Sequence, residues 1–202
     1  DEVSSSCSEY ILDADGTEII WNRCDRLSEE KSIDQNQFNE LILHARNRLA
    51  LIFHRYISGE VRGKKLSIEL NGIPIPEYDP FHRRHEATMQ LECESFNMRG
   101  GNKITVQPFI LPHYSKMKPA DLDKMSGDEG LLKNQGFYVY RNHRLIIFGT
   151  WFRLVKHGDL SQLVRISVDI PNSLDEMWKI TVDKSDAQLP SLLRTRLKQI
   201  VD

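Results

Sequence analysis

The sequence has few of the features that mark self-contained enzymes or secreted proteins. Its 202 residues contain three cysteines, Cys7, Cys24 and Cys93, which are far apart and form no C-x-x-C pair. This favours reduced thiols in the cytoplasm over a disulfide framework or a cysteine metal site. The sequence also lacks a G-x-x-x-x-G-K-[ST] phosphate loop, a G-x-S-x-G elbow and an H-E-x-x-H pair. The enzyme classes that those motifs define are therefore excluded.

Charge and hydropathy are equally plain. The net charge is -2 and the pI is about 6.4, so bulk electrostatics give no sign of a nucleic-acid partner. No apolar run reaches the roughly 18 residues that a membrane span needs, and the acidic start "DEVSSSCSEY" has no signal-peptide pattern. With 40% hydrophobic and 28% charged residues, we expect a soluble globular protein without a membrane partner. The absence of a starting methionine leads us to expect a piece of a longer chain.

One stretch carries the clearest helical signal. In "SIDQNQFNELILHARNRLALIFHRYISGE" the apolar residues recur at helical spacing, at Phe38, Leu41, Ile42, Ala45, Leu49, Ile52, Phe53 and Tyr56. Ser32 and Gln35 have the spacing of a capping box, and Gly59 is a suitable stop. We expect one long helix that lies across a sheet.

Most of the remaining chain alternates between apolar and polar residues, as strands do. Strands are predicted in "GTEIIW", "KKLSIELNGIPI", "ATMQLECESF", "NKITVQPFILP", "GFYVYRNHRLIIFGTWFRL" and "LVRISVDIP", with tight turns at Asn71-Gly72 and at 141–144. A short helix and a loop in "KPADLDKMSGDEGLLKN" and a closing helix at 189–201 complete the pattern. This order predicts an α+β fold with a mixed, mostly antiparallel sheet and helices packed on one face.

The stretch "WKITVDKSDAQLP" ends a predicted strand in a charged loop. Ile180 and Val182 share one strand face, Lys184 follows without a turn glycine, and Pro190 suits the first turn of the closing helix. A lysine ammonium is a compact cation with three donors, well suited to a terminal phosphate. An ordinary solvated loop lysine has the same sequence pattern, so both interpretations stay open.

Taken in order, these segments resemble the transducer domain of GHKL ATPases, the superfamily of gyrase B, MutL and MORC proteins. "GTEIIW" resembles the Gly-Thr box that begins the last strand of the nucleotide-binding domain, and "GFYVYRNHRLI" resembles a transducer hairpin. "ITVDKSD" is similar to the loop whose lysine binds the γ-phosphate, with Lys184 in the lysine position and Asp186 like the MORC aspartate. "YDPF" and "GTWF" resemble features of uncharacterised bacterial members.

The resemblance implies a specific organisation and role. Residues 1–30 would be the tail of an ATPase domain and a linker, and 31–202 a transducer-like α+β domain with a left-handed β-α-β crossover. Lys184 would be a catalytic and nucleotide-binding residue, Thr17 would help to bind the nucleotide, and ATP and Mg would be held mainly by an upstream domain absent from this chain. That domain would be the partner, a homodimer is compatible with the family, and the fragment would not hydrolyse ATP alone.

The magnesium-binding helix of that superfamily is not present. "ELILHARN" places His44 where an asparagine is needed to hold magnesium, and histidine is a poor ligand for a hard cation. "DADG" at 13–16 is likewise not the D-x-G-x-G adenine turn. We therefore interpret the helix that contains Glu40 as a core helix and expect no metal bound to this chain.

Two alternatives use other residues. A nucleic-acid-binding module would use the basic residues Arg99, Arg141, Arg144, Arg194, Arg196 and Lys198. A protein-interaction domain would present Trp151 and Phe152 as an exposed partner surface. "HRRH", with His82 and His85, offers two of the three or four ligands that zinc requires.

Overall fold

The structure, a computed structural model, describes residues 17, 19, 34–98, 101–126, 130–156, 158, 161–172 and 191–201. The chain divides into two compact units, Asp1–Ile42 and Leu43–Asp202, and the second contains the sheet and its cores. The predicted first strand (apart from isolated positions), the late strand at 178–183 and the boundary after residue 30 lie outside the described residues. The crossover that would involve the late strand therefore stays a prediction.

The long helical segment forms two helices, α1 at Gln35–Ile52 and α2 at His54–Ile57. The capping box lies at Asp34 and Gln37, where each backbone N–H donates to the other side chain at 2.8 and 3.1 Å. The predicted cap residue Ser32 lies outside the described residues; the box that the structure describes is two residues further on, where the carboxylate of Asp34 is a strong N-cap acceptor. Gly59 follows α2 with a φ of 75°, as expected of a helix stop.

Eight strands lie in the described part of the chain. They are β1 (Glu69–Leu70), β2 (Ile73–Pro74), β3 (Met89–Gln90), β4 (Glu94–Asn97), β5 (Lys103–Ile110), β6 (Gly136–Arg141), β7 (Arg144–Thr150) and β8 (Val164–Ile170). β1 and β2 form a hairpin, while the other six form one sheet in the order β3-β5-β8-β6-β7, with β4 also paired to β5. The β6–β8 pair is parallel and the other pairs are antiparallel. The predicted α+β class and mostly antiparallel mixed sheet are confirmed.

Both faces of the sheet are covered. On one face, residues such as Val106, Val139 and Val168 pack against Leu193 and Leu197 of helix α4 (Ser191–Val201). The other face carries the aromatic cluster Phe81, Phe109, Tyr138 and Tyr140, with Leu145 and part of α1 packed against it. The helices are therefore shared between two faces, whereas the sequence pattern predicted one. The cause is visible in β6, whose first five residues are all buried.

The two predicted tight turns are confirmed. Asn71 and Gly72 between β1 and β2, and Asn142 and His143 between β6 and β7, have φ between 48° and 71°. Two consecutive positive φ values are the mark of a type I′ hairpin turn, which matches the twist of the strands it joins. Helix α3 (Pro119–Ser126) confirms the predicted short helix.

Gly149 in β7 allows a close approach of two backbone segments. Its φ is 66°, and a Cβ at this position would overlap the carbonyl oxygen of Lys133. We expect Gly149→Ala to lower the free energy of unfolding by about 2 to 4 kcal/mol, since left-handed strain and overlap add. Gly63→Ala is the matched control, because Gly63 has a φ of 71° with open space around it. Urea unfolding should give a clearly smaller loss for the control; equal losses would contradict the overlap argument.

Candidate functional site

Of the two residues that the sequence predicts to bind nucleotide, the structure describes Thr17. Lys184 lies outside the described residues. Thr17 is described and exposed, and it belongs to neither a helix nor a strand. The roles of both residues therefore stay predictions that rest on the sequence.

The histidine pair of the "HRRH" loop has a structural environment. His82 has a φ of 46°, and its carbonyl accepts a hydrogen bond from the Thr88 hydroxyl at 2.6 Å. Burial, followed by the charge of Arg165, lowers the pKa of His82. His85 Nδ1 accepts from the Ala87 backbone N–H at 3.1 Å. Within the described ranges, no group of three or more His, Cys, Asp or Glu residues could hold a metal ion.

Several of the predicted phosphate-binding arginines have protein partners. Arg196 in α4 is 3.1 Å from the carboxylate of Glu94 and lies over the ring of Phe96. Arg144 lies 5.3 Å from the ring centroid of Phe53. Arg99 lies outside the described residues, while Arg194 and Lys198 are exposed on α4. The basic residues that the structure describes are thus partly engaged within the protein.

The predicted partner surface at Trp151 and Phe152 was wrong for the tryptophan. Trp151 is 1% exposed, and its indole N–H donates to Gln135 Oε1 at 2.9 Å. Phe152 is only half-buried, but it packs against the same apolar cluster as Trp151. Trp151 follows β7 directly and packs in the apolar core of the sheet. The sequence "GTWF" alone does not distinguish such a buried tryptophan from an exposed one.

The most concentrated polar chemistry lies on the aromatic face of the sheet, where the end of the long helical segment meets β6 and β8. We call it the helix–sheet clamp; its residues are His54, Arg55, Tyr140, Ser167 and Asp169. The Arg55 guanidinium donates to both carboxylate oxygens of Asp169 and, at 2.9 Å, to the Ser167 hydroxyl. It also lies 3.5 Å from the centroid of the Tyr140 ring. One side chain therefore holds two neighbouring parallel strands.

His54 adds a second contact within the clamp. Its Nε2 is 2.8 Å from the Tyr140 hydroxyl, and its ring packs edge-on against the rings of Tyr140 and Phe81. His54 is 0% exposed, and its Nδ1 is buried without a hydrogen-bond partner. Burying a polar group unpaired is costly, so the apolar contacts of this ring must offset that cost.

Burial sets the protonation states of the clamp. It lowers the pKa of His54 from an ordinary value of 6.5 to about 3, with the charges of Arg55 and Arg83 acting in the same direction. Burial also raises the pKa of Tyr140 well above its ordinary value. For Arg55, burial alone would lower the pKa, but the hydrogen bond and charge of Asp169 lead the effects that raise it overall. At neutral pH the clamp is a neutral histidine, a protonated tyrosine and an Arg–Asp ion pair.

The clamp continues into a chain of charges at the surface. Glu60, just after α2, is 3.5 Å from Arg55 Nε and 2.8 Å from Arg83. Arg83 in turn contacts the carboxylate of Asp79 at 3.2 Å. The alternating charges of Asp169, Arg55, Glu60, Arg83 and Asp79 therefore connect β8, the end of α2 and the 79–83 loop.

A second buried arginine lies on the same face. Arg165 in β8 is 0% exposed and donates to the backbone carbonyls of Pro80 and Met125, the latter at 2.5 Å. Its guanidinium also lies over the Tyr138 ring. Because its direct acceptors are main-chain carbonyls, Arg165 joins the 79–83 loop and α3 to the central strand.

The chemistry of the clamp favours attachment over proton transfer. A general acid or base works best when its pKa is near the working pH. His54 and Tyr140 titrate far from neutrality on opposite sides. The clamp is therefore suited to holding the helix end rigidly on the sheet.

Comparison with known proteins assigns no family, since no family model and no curated protein matches the chain. None of the helices in the described segments has the length and hydropathy of a membrane span. The order of the helices and strands and the contacts of the helix–sheet clamp are therefore the evidence on function.

Proposed function

We propose that the chain is the C-terminal, transducer-like part of a GHKL-type ATPase. It couples ATP binding and hydrolysis in a neighbouring domain to a conformational change or to dimerisation. The observation that carries the proposal is the order of elements: a long helical segment, a mostly antiparallel sheet and a closing helix. This is the order that the resemblance implies for the transducer.

The predicted phosphate-binding lysine is the residue that carries the chemistry of the proposal. Along the sequence Lys184 lies between Ile170, where β8 ends, and Ser191, where α4 begins, and the strand at 178–183 that would present it stays a prediction. In this proposal Lys184 contacts the γ-phosphate of a nucleotide held by the upstream domain, and Thr17 lies near the same nucleotide. ATP and magnesium bind mainly to that domain, and the protein acts in the cytoplasm.

The helix–sheet clamp supports the coupling role. A transducer must transmit movement from one helix or strand to another, which requires rigid contacts between them. Arg55 is 7% exposed and is bonded to β8 while it lies on a ring of β6. A force on the end of the helical segment is therefore passed directly to the parallel pair of strands.

The test uses a longer protein that contains the upstream ATPase domain. We expect Lys184→Ala to lower kcat about 100- to 1,000-fold, the size seen when one charge-stabilising donor is removed from a transition state. Lys198→Ala removes the same charge from an exposed position on α4 and should leave turnover unchanged. Steady-state ATPase rates measure both effects.

Unchanged turnover in Lys184→Ala would end the proposed role of this lysine. If the same variants instead showed salt-sensitive binding to nucleic acid, the alternative of a nucleic-acid-binding module would be favoured. If neither activity were found, a protein-interaction module without nucleotide chemistry would remain.

A further inference from the structure

The long helical segment is interrupted at Phe53. This residue has φ -105° and ψ 13°, away from the values of an α-helix. Its N–H still donates to the Leu49 carbonyl at 3.0 Å, but its own carbonyl accepts from both Tyr56 and Ile57, at 2.9 and 3.0 Å. The ladder thus changes from i+4 spacing to mixed i+3 and i+4 spacing, a local change that often marks a hinge.

Neither proline nor glycine causes this interruption, because residues 49–57 read "LALIFHRYI". Kinks in helices otherwise come from packing or from an altered hydrogen-bond ladder. Here the clamp begins one residue after the break, at His54. Packing of His54 and Arg55 on the sheet accounts for the break in the helix.

The two sides of Phe53 are held very differently. In α2, His54 and Arg55 are buried in the clamp, and the Tyr56 hydroxyl donates to the Asn142 carbonyl at 2.7 Å. In α1, Ala50 is buried and Leu51 packs against the aromatic cluster, but most residues before Leu49 are exposed. The described contacts of α1 with the sheet side include Arg48 over the Phe148 ring and a bond from Arg46 to the Pro74 carbonyl.

We propose that Phe53 is a hinge at which α1 changes its angle to the sheet while α2 stays fixed. Before its last turn, α1 is held in part by arginines at the surface, whose contacts exchange readily with water. A 20° change at the hinge would move Ala45, eight residues away, by about 4 Å, since each helical residue adds about 1.5 Å. Two contacts stabilise one angle of α1 to the sheet: Arg144 over the Phe53 ring and Arg48 over the Phe148 ring.

This device goes beyond the proposed function and does not depend on it. The hinge concerns this chain alone, so its test needs no nucleotide and no upstream domain. The hinge can fail while the role of Lys184 stands, and the reverse also holds.

The experiment measures distances between pairs of nitroxide labels in a background with Cys7, Cys24 and Cys93 replaced by serine. One pair, at Ala45→Cys and Lys103→Cys, reports on α1 against β5; the control pair, at Lys64→Cys and Lys103→Cys, reports on the anchored side. Lys64 is a suitable control because its N–H bonds to the carbonyl of Val61, which is buried. Both labelled proteins are made with and without Arg48→Gln and Arg144→Gln, which gives four proteins.

We expect the Ala45 pair to give a distribution about 4 Å broader than the control pair, and broader still without the two arginines. The control pair should be the same in both backgrounds. Equal widths for the two pairs in the native background would overturn the hinge. Broadening of both pairs in the arginine variant would overturn it as well, because the movement would not be confined to α1. If the arginine variant does not fold, the native background alone decides.

Discussion

Replacing Asp169 with alanine is expected to lower the free energy of unfolding by about 3 to 5 kcal/mol, because it removes the carboxylate that pairs with both terminal nitrogens of a buried guanidinium. The Arg55 side chain is only 8% exposed, and Asp169 accepts bonds from both of its terminal nitrogens. Ser167 and the Tyr140 ring carry no negative charge, and the remaining carboxylate, that of Glu60, faces only Arg55 Nε at 3.5 Å from a position that is 36% exposed. Urea unfolding at pH 7 measures the loss.

Glu60→Ala is the matched control for that prediction. It removes a carboxylate that also faces Arg55, at 3.5 Å, but its side chain is 36% exposed. Exposed ion pairs contribute about 1 kcal/mol or less, so the control should lose far less stability than Asp169→Ala. The double variant Arg55→Met with Asp169→Ala should lose less than the sum of the single variants, since no unpaired charge remains. Additive losses would show that the two side chains do not interact as described.

The apolar and turn patterns in the sequence predicted most of the local structure. Periods of two and of 3.6 residues identified the strands and helices, and Asn71-Gly72 and Asn142-His143 gave the turns, because these signals depend on residues close in the chain. The break at Phe53 was not predicted. Its cause is a long-range contact, from Arg55 to a strand more than a hundred residues later.

The helix–sheet clamp was missed for a related reason. His54 and Arg55 lie inside an otherwise apolar helical stripe, and Arg165, Ser167 and Asp169 alternate with the apolar residues of β8. The signal was therefore present as two adjacent polar residues in the helical segment and as polar residues at every second position of β8. Sequence alone does not say that the two polar sets face each other, since a solvated face of a strand has the same alternation.

The role proposed for Lys184, in contrast, rests on the sequence and not on contacts in the structure. The lysine was noted from its position after the alternating segment at 178–183, and both that segment and Lys184 lie outside the described residues. Its contact with a phosphate would depend on another domain. The ATPase rate of Lys184→Ala in the longer protein tests that contact directly.

Stability is expected to fall as the pH drops below 6.5, and His54 should account for a large part of the loss. Burial lowers the pKa of His54 from 6.5 in the unfolded chain to about 3 in the fold. The stabilisation from a neutral His54 is thus fully present above pH 6.5 and is lost as the pH falls towards 3, since only the unfolded chain takes up the proton. One proton changes the free energy by about 1.4 kcal/mol per pH unit, so the loss is about 2 kcal/mol at pH 5 and about 3 kcal/mol at pH 4.

His54→Gln separates this contribution from those of other titrating groups. At pH 8 histidine is neutral in both the folded and the unfolded chain, so the difference in unfolding free energy between the variant and the native protein measures the cost of the substitution itself. Because glutamine does not titrate, its unfolding free energy should fall less steeply between pH 6.5 and 4, and the two curves should converge by about 3 kcal/mol. Urea unfolding at half-unit steps measures both curves under the same conditions. Curves that run parallel from pH 8 to 4 would mean that His54 takes up its proton equally in the folded and unfolded chains, which its burial against Tyr140 and Phe81 argues against.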